Sequence, residues 1–265
     1  MRIRLKDYWS TLRGLLDGAR VDMEIEAARQ RDNDLSEHLD LSGRLCILDL
    51  ANGQLRPQTI LLSNSGHEVY GIDLVNKPDK TWQDRAYRFA RWLYRCHVPN
   101  GKELEHASRL VCGDVNRLPF RDQYFDLITS MSAFEHFLDI PAVVAEMRRV
   151  LRPGGMVWVR IHPFTCLSGG HNLSLTEIPL RSLPNGVQPW DHLRSRRLPI
   201  TVPLNEWRIE RYLDEFSRHF VILKHYCAVR EGGEFLTPEI ENELNGYSRD
   251  ELTCCTHAIL ASKAK

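Results

Sequence analysis

The stretch Leu45-Cys46-Ile47-Leu48-Asp49-Leu50-Ala51-Asn52-Gly53 is an apolar run that closes on a carboxylate and leads into a turn of small residues. The pattern recurs in Val69-Tyr70-Gly71-Ile72-Asp73 and in Leu110-Val111-Cys112-Gly113-Asp114. Open parallel sheets bind ligands in the crevice beyond the carboxyl ends of their strands. Three strands that each end near an acid therefore predict a site for a ligand rich in hydroxyl and amino groups.

The length and charge of the chain indicate how many domains it forms and which kinds of partner it can bind. The chain has 265 residues, 43% of them hydrophobic, and its 35 basic and 35 acidic residues cancel to a formal net charge of zero. This suits one compact domain and provides no strongly basic face for bulk nucleic-acid binding. The charged N-terminus does not resemble a secretory signal, and no apolar run approaches the roughly 18 residues needed to span a membrane.

The seven cysteines include no CxxC pair and no zinc-ligand spacing. We expect reduced, mostly buried thiols in a cytoplasmic protein. Cys254 and Cys255 are adjacent in a predicted strand, so their side chains should point to opposite faces.

Strand and helix patterns alternate over the first two thirds of the chain, which is typical of a parallel sheet covered on both faces. We predict a single α/β domain over 1–265. Its parts are a helical cap over 1–44, a core over 45–161, a Pro- and Gly-rich lid or substrate loop over 162–203, and the rest of the sheet over 204–265. The predicted strands are 45–49, 68–72, 109–113, 125–130, 156–161, 219–229 and 254–262, and the main predicted helices are 54–65, 141–151, 205–218 and 238–247.

Two glycine-containing stretches punctuate these elements. Gly66 suits the left-handed residue that ends a helix. Pro153-Gly154-Gly155 predicts a tight turn immediately before the fifth strand.

Several short segments together resemble a known family. They are Leu48–Gly53, Gly71–Leu74, Cys112–Val115 followed by Leu118–Phe120, Phe125–Ile128 followed by Phe134–His136, and Leu151–Gly155. In this order they resemble the class I S-adenosylmethionine-dependent methyltransferases, especially the small-molecule group called type 11. The resemblance covers about residues 45–161. It implies a Rossmann-like, seven-stranded, doubly wound sheet that is parallel except for one antiparallel strand near the C-terminus, and S-adenosylmethionine as cofactor.

The resemblance also implies which residues bind that cofactor. They are Asp49, Ala51, Asn52, Gly53, Asp73, Leu74, Asp114, Val115, Ser130 and His136. The chemistry of the residues agrees with it. A turn of small residues lets the backbone approach a methionyl group, the Asp73 carboxylate can accept two ribose hydroxyls, and Asp114 can accept from an adenine amino group. Each acid alone could equally cap a helix, but three in equivalent positions favour binding.

One departure from the family pattern concerns the turn, where Ala51 and Leu55 replace glycines and leave only Gly53. Alanine adopts most backbone shapes that do not need a positive φ, so we expect the turn to survive. A Rossmann dehydrogenase is the alternative cofactor-binding fold. The GxGxxG that would cradle a pyrophosphate is missing after the first strand, which argues against it.

Histidines are the candidate catalytic residues, because a hydroxyl acceptor often needs a base of near-neutral pKa. His162 follows the fifth strand, His171 lies in the loop Ser168-Gly169-Gly170-His171-Asn172, and His192 follows Asp191. We take His171, His162 and His192 as candidates for base or substrate binding. No metal ligands are predicted, since no carboxylates cluster there.

The leading hypothesis is methyl transfer to a small molecule, with a hydroxyl of a sugar or secondary metabolite as the preferred acceptor. The alternatives are an RNA or protein methyltransferase and a non-catalytic cofactor-binding or scaffold relative with a degenerate turn. The expected partner is a small-molecule substrate. We expect no binding to membranes and no binding to nucleic acid. The sequence leaves open whether the protein forms a homodimer, and we predict that it is cytoplasmic.

Overall fold

The computed structural model describes residues 5–16, 18–76, 82–98, 109–172, 183 and 186–264. Parts of the predicted lid, including Pro179 and Pro184, lie outside these residues. The helices are α1 (Leu5–Leu16), α2 (Ala19–Ser36), α3 (Pro57–Asn64), α4 (Trp82–His97), α5 (Ile140–Val150), α6 (Ile209–His219), α7 (Pro238–Glu243) and α8 (Arg249–Thr253). The strands are β1 (Cys46–Leu50), β2 (Glu68–Ile72), β3 (Leu110–Val111), β4 (Phe125–Met131), β5 (Leu151–Ile161), β6 (Val221–Arg230) and β7 (Cys254–Ser262).

The seven strands form one sheet in the order β3-β2-β1-β4-β5-β7-β6. β1 pairs in parallel with β2 and β4, β2 pairs in parallel with β3, and β7 runs antiparallel to β6. This confirms the predicted Rossmann-like α/β sheet with an antiparallel strand at its C-terminal end. None of the described helices is long and apolar enough to cross a membrane.

The described residues belong to two compact units. The first unit takes its residues from 1–131, 146–158 and 263–265, and the second from 132–145 and 159–262. In the first unit, residues of α1, α2, α3 and α4 share an apolar cluster that includes Leu15, Val21, Ile60 and Tyr94. In the second, Leu167 and Trp190 of the predicted lid are buried against residues from 236–252.

Two local predictions were wrong. Pro153-Gly154-Gly155 is part of β5 rather than a turn before it, because the Gly154 amide donates to the Lys263 carbonyl and Lys263 returns a bond to Gly155. Gly154 nonetheless has a positive φ of 74°. The predicted helix 238–247 ends early, at Glu243, and a separate helix that was not predicted, α8, begins at Arg249, where the Ser248 hydroxyl accepts from the Glu251 amide.

The cysteine prediction needs a correction as well. Cys227 of β6 and Cys254 of β7 form a disulfide, with their Cα atoms 5.7 Å apart. The antiparallel pairing of these strands brings together two cysteines that are 27 residues apart. Sequence spacing carries no signal for such a pair. The other five cysteines are free. Cys166 and Cys255 are buried, but Cys96 and Cys112 are exposed and Cys46 is half-buried, so the prediction of mostly buried thiols was wrong.

Titration with a thiol reagent tests this pairing directly. We expect five reactive thiols per chain in denaturant without reductant and seven after reduction. A count of seven without reductant, in protein protected from air and from added thiols, would contradict the pairing.

A buried polar network joins the end of β1 to the helices of the first unit. Asp49 is 2% exposed and accepts from the Thr59 hydroxyl of α3. Arg31 of α2, also buried, donates to Gln58 of α3. Burial raises the pKa of Asp49 to about 7, although the Thr59 hydroxyl and the Arg31 charge both act to lower it.

This raised pKa makes stability depend on pH. Between about pH 4 and pH 7 the folded protein keeps a proton on Asp49 that the unfolded chain has lost, so the free energy of unfolding falls as the pH rises through that window. Asp49→Asn removes the titration. Urea unfolding at each pH measures the free energy of unfolding of the variant and of the parent. We expect the variant's value minus the parent's value to rise by on the order of 2 kcal/mol between pH 4 and pH 8. The exposed Asp114→Asn is the control, and a difference that stays constant with pH would refute the assignment.

Candidate functional site

The carboxyl ends of β1, β2 and β3 lie side by side because the strands are parallel and in register. Leu50 pairs with Ile72, and Ile72 pairs with Val111. The segments that follow these strands, which carry the Ala51–Gly53 turn, Asp73 and Asp114, therefore leave the same edge of the sheet. This is the arrangement that the three acids predict.

The turn after β1 has left-handed backbone at two positions, of which only one is a glycine. Ala51 has a φ of 54° and Gly53 a φ of 64°. The expectation that Ala51 would avoid a positive φ was wrong. The Ala51 amide donates to the Ile72 carbonyl at 2.8 Å, and this tertiary bond holds a conformation that alanine alone disfavours.

The side chain of Asn52 ties the turn to the segment after β2. It is buried, and its Oδ1 accepts a hydrogen bond from the side-chain Nδ2 of Asn76 at 2.9 Å. A Cβ on Gly71 would come within 3.0 Å of the Asn52 side chain, so glycine is needed there for the close approach. Gly53, by contrast, faces open space, since no heavy atom lies within 4 Å of a Cβ built on it.

Asp73 closes the other side of the turn. One carboxylate oxygen accepts from the Gly53 amide at 2.8 Å, and the other accepts from the Val75 amide at 3.0 Å. The side chain is half-buried. A carboxylate oxygen can accept more than one hydrogen bond, so each keeps acceptor capacity for a ligand.

The remaining predicted cofactor residues of the first unit differ in exposure. Asp114 is exposed and accepts from the Asn116 backbone and side chain, and Val115 next to it is buried. Leu74 is exposed. Ser130 is fully buried, and its hydroxyl donates to the Leu50 carbonyl. Asp49 is buried in the network described above, so it can support the turn from beneath.

These residues fit a nucleoside with a methionyl group. The open space at Gly53 lets a ligand approach the turn closely, and the two acids that follow β2 and β3 offer acceptors for hydroxyl and amino groups. These acceptors suit the ribose and adenine of the cofactor that the resemblance implies.

Three histidines of the second unit form a cluster. The rings of His136 and His171 have centroids 4.9 Å apart, and those of His162 and His171 are 5.1 Å apart, both edge to face. His171 has a φ of 48°, and its amide donates to the Ser168 carbonyl. Burial, followed by the charges of His162, His136 and His192, lowers the pKa of His171 to about 2, so its ring is neutral.

The other two candidate histidines already have hydrogen-bonding partners. His162 is buried, with Nδ1 2.7 Å from the Cys255 carbonyl and Nε2 3.2 Å from the Ser168 hydroxyl. Nε2 of His192 lies 2.7 Å from the Phe164 carbonyl, and burial lowers the pKa of this ring to about 4. His171 differs from both, because its buried Nε2 has no hydrogen-bond partner among the described residues.

Sequence reasoning missed Glu135. It is 3% exposed, and burial raises the pKa of its carboxyl group to about 7 against the lowering effect of His162. Its neighbour His136 places Nδ1 2.9 Å from the Pro203 carbonyl. The only hint in the sequence was its place in Phe134-Glu135-His136, which is a family motif rather than a chemical signal.

A segment far along the chain holds this pair in place. Glu135 and His136 belong to a short 3-10 helix over Phe134–His136. The Asn205 amide donates to the Glu135 carbonyl, and its side chain donates to the Phe134 and Phe137 carbonyls. Tyr212 donates in turn to the Asn205 side chain. The backbone on both sides of Glu135 is therefore fixed.

Known proteins resemble this chain in sequence and fold. A sequence model of the type 11 methyltransferase domain family matches residues 48–159. The chain is 29% identical over 148 residues to the methyltransferase GfsG of Streptomyces halstedii, which is 56% of this chain and 46% of that protein. It is 30% identical over 212 residues to the "Probable phthiotriol/phenolphthiotriol dimycocerosates methyltransferase 2" of Mycobacterium ulcerans, covering 75% of this chain and 72% of that protein.

Structural comparison agrees at the level of the fold. An S-adenosylmethionine-dependent methyltransferase from Mesorhizobium loti superposes with a TM-score of 0.52 at 17% identity, covering 87% of this chain and 96% of that one. The matched part of this chain spans about half the length of GfsG. Given the family match, the Mycobacterium ulcerans relative and the three acids at adjacent strand ends, the chain belongs to the class I S-adenosylmethionine-dependent methyltransferases, in the type 11 group.

Proposed function

We propose that this protein transfers a methyl group from S-adenosylmethionine to a small-molecule acceptor, at a hydroxyl of a sugar or secondary metabolite. The observation that carries the proposal is the Ala51–Gly53 turn held open between Ile72 and Asp73, at the edge where three parallel strands end. When bound, the cofactor supplies a methyl group already activated on a sulfonium. The protein's task is then largely to bind and orient.

Each strand end has its own proposed role toward the cofactor. The backbone of Ala51, Asn52 and Gly53 approaches the methionyl group, and Asp49 supports that turn from below. Asp73 accepts the ribose hydroxyls. Asp114 and the Val115 amide meet the adenine edge, with Leu74 against the ring. Ser130 and His136 complete the set that the family resemblance implies.

Two facts support a small molecule as acceptor. The name of the Mycobacterium ulcerans relative gives phthiotriol and phenolphthiotriol dimycocerosates as what it methylates. The net charge of zero offers no general attraction for RNA, which disfavours the macromolecular alternative. A homodimer stays open.

Location in the cytoplasm also stays a prediction. Five free cysteines favour it, whereas the Cys227–Cys254 disulfide weighs against it because such bonds are rare in reducing compartments.

On the acceptor side we propose that His171 contacts the reacting hydroxyl and that His162 and His192 hold the loop around it. The free Nε2 of His171 favours this division, since the other two rings are hydrogen-bonded to backbone carbonyls. Ser168 links His162 to Glu231, which stiffens the loop that carries His171.

Asp73→Ala tests the cofactor map. We expect it to weaken binding of S-adenosylmethionine and S-adenosylhomocysteine by on the order of 1–3 kcal/mol, through loss of hydrogen bonds to a charged acceptor. Calorimetric titration measures this, with NADH as the ligand control and the exposed Asp122→Ala as the matched variant. Unchanged affinity would remove Asp73 from the site. If the parent binds neither sulfur nucleotide, the protein is a scaffold relative instead.

His171→Asn tests the acceptor side, because asparagine tolerates the left-handed backbone that His171 adopts. S-adenosylhomocysteine formation across a panel of hydroxylated sugars and phenolic metabolites first identifies an acceptor. We then expect turnover to fall by about 100-fold, because the neutral His171 ring no longer positions the hydroxyl by accepting its hydrogen bond, while affinity for S-adenosylhomocysteine is kept. His38→Asn, on the exposed turn after α2, should leave both unchanged. Full turnover in His171→Asn would exclude His171 from catalysis.

A further inference from the structure

Glu135, His136 and His171 place metal-binding atoms close together in the second unit. One ligand atom from each residue lies within 4.8 Å of the other two. Two of the residues are adjacent in the 3-10 helix, and the third comes from the loop after β5. Because His171 comes from a separate segment of the chain, its approach to the Glu135-His136 pair is a property of the fold.

A second observation points to a ligand. Both carboxylate oxygens of Glu135 are buried without a well-formed hydrogen bond to any described residue, although the backbone amides of Glu135 and His162 lie close enough to lower its pKa. Nε2 of His171 is likewise buried without a hydrogen-bond partner among the described residues. A buried carboxylate without partners is costly, and the few found in native proteins call for an explanation such as an ion. Here both residues that carry unsatisfied atoms belong to the same group of three.

The third residue, His136, is oriented as a metal ligand would be. Its Nδ1 lies 2.9 Å from the Pro203 carbonyl, which can only accept, so Nδ1 carries the proton and Nε2 keeps its lone pair. Ligating histidines usually donate their other ring nitrogen in this way. The Asn205 bonds fix the backbone beneath it.

We propose that Glu135, His136 and His171 bind one divalent transition-metal ion, with a fourth coordination position open. Two imidazoles and a carboxylate are the ligand set of Zn²⁺ and non-haem Fe²⁺ sites, whereas Mg²⁺ and Ca²⁺ prefer oxygen ligands. In a tetrahedral Zn²⁺ site the ligand atoms stand about 3.3 Å apart, so the three side chains must close by up to about 1.5 Å.

One consequence rests on the proposed function. If the protein methylates a hydroxyl, the open position suits the acceptor oxygen, because a metal ion polarises a bound oxygen and favours its deprotonated form. His171 would then bind the metal ion, and the ion rather than the ring would contact the reacting hydroxyl. The metal site itself does not depend on this consequence.

Titration of the metal-stripped full-length protein with Co²⁺ and Zn²⁺ tests the site. We expect one Co²⁺ to bind per chain, with ligand-field absorption bands and without a thiolate charge-transfer band. Zn²⁺ should displace the Co²⁺, and calorimetry measures its affinity. Glu135→Gln and His171→Asn should each weaken Zn²⁺ binding by on the order of 100-fold. His136→Ala serves as a further variant if Glu135→Gln does not fold, as judged by circular dichroism.

Another histidine pair provides the matched control. Nε2 of His225 in β6 lies 3.0 Å from Nδ1 of His257 in β7. Both residues are distant in sequence from the three proposed ligands. His225→Ala should leave the tight Zn²⁺ site intact. The proposal is overturned if the parent binds no Co²⁺ or Zn²⁺, if the ligand variants bind as the parent does, if His225→Ala abolishes binding, or if a thiolate band shows cysteine ligands.

Binding of S-adenosylhomocysteine by the same preparation separates the two hypotheses. Cofactor binding without metal binding would retain the proposed function and remove the metal site. Metal binding without cofactor binding would do the reverse.

Discussion

The parallel hydrogen-bonded register of β1, β2 and β3 is the constraint on which the proposed cofactor site depends. Because Leu50, Ile72 and Val111 stand at one level, the chain leaves all three strands at one edge. A one-residue slip between β1 and β2 would move the side chains of β2 to the opposite face. It would also separate the Ala51 amide from the Ile72 carbonyl, and with it the bond that holds the turn.

Tertiary hydrogen bonds replace glycine in that turn. Glycine adopts a positive φ at little steric cost, whereas alanine in the left-handed region costs roughly 1–2 kcal/mol. The bonds that Ile72 and Asp73 make to the turn offset this cost, and the Asn52–Asn76 pair adds to them. A left-handed turn position can therefore be occupied by alanine, provided that the surrounding contacts over-determine the conformation.

Each unit buries a carboxyl group, and the two carboxyl groups differ in their hydrogen-bonding partners. Asp49 is buried beside a hydroxyl and near a guanidinium, so its ionised form is partly compensated. Glu135 is equally buried, but its carboxylate oxygens make no well-formed hydrogen bond with the described residues, and only the nearby backbone amides and His162 favour the ionised form. The first arrangement is typical of a structural network, and the second of a group that awaits a ligand or a proton.

The order of strands and helices, the acids at the strand ends and the left-handed Gly66 could all be predicted from the sequence, because periodicity and backbone preference act over a few residues. Other features were decided by contacts between distant segments. Hydrogen bonds with Pro203 and Asn205 orient the segment with Glu135 and His136. Both ring nitrogens of His162 are hydrogen-bonded, to Cys255 and Ser168. Strand pairing brings Cys227 to Cys254. Burial and hydrogen-bond satisfaction are properties of the folded environment. For that reason the sequence could identify His171 as a candidate, while only the tertiary structure shows that its Nε2 is unpartnered among the described residues and that Glu135 lies beside it.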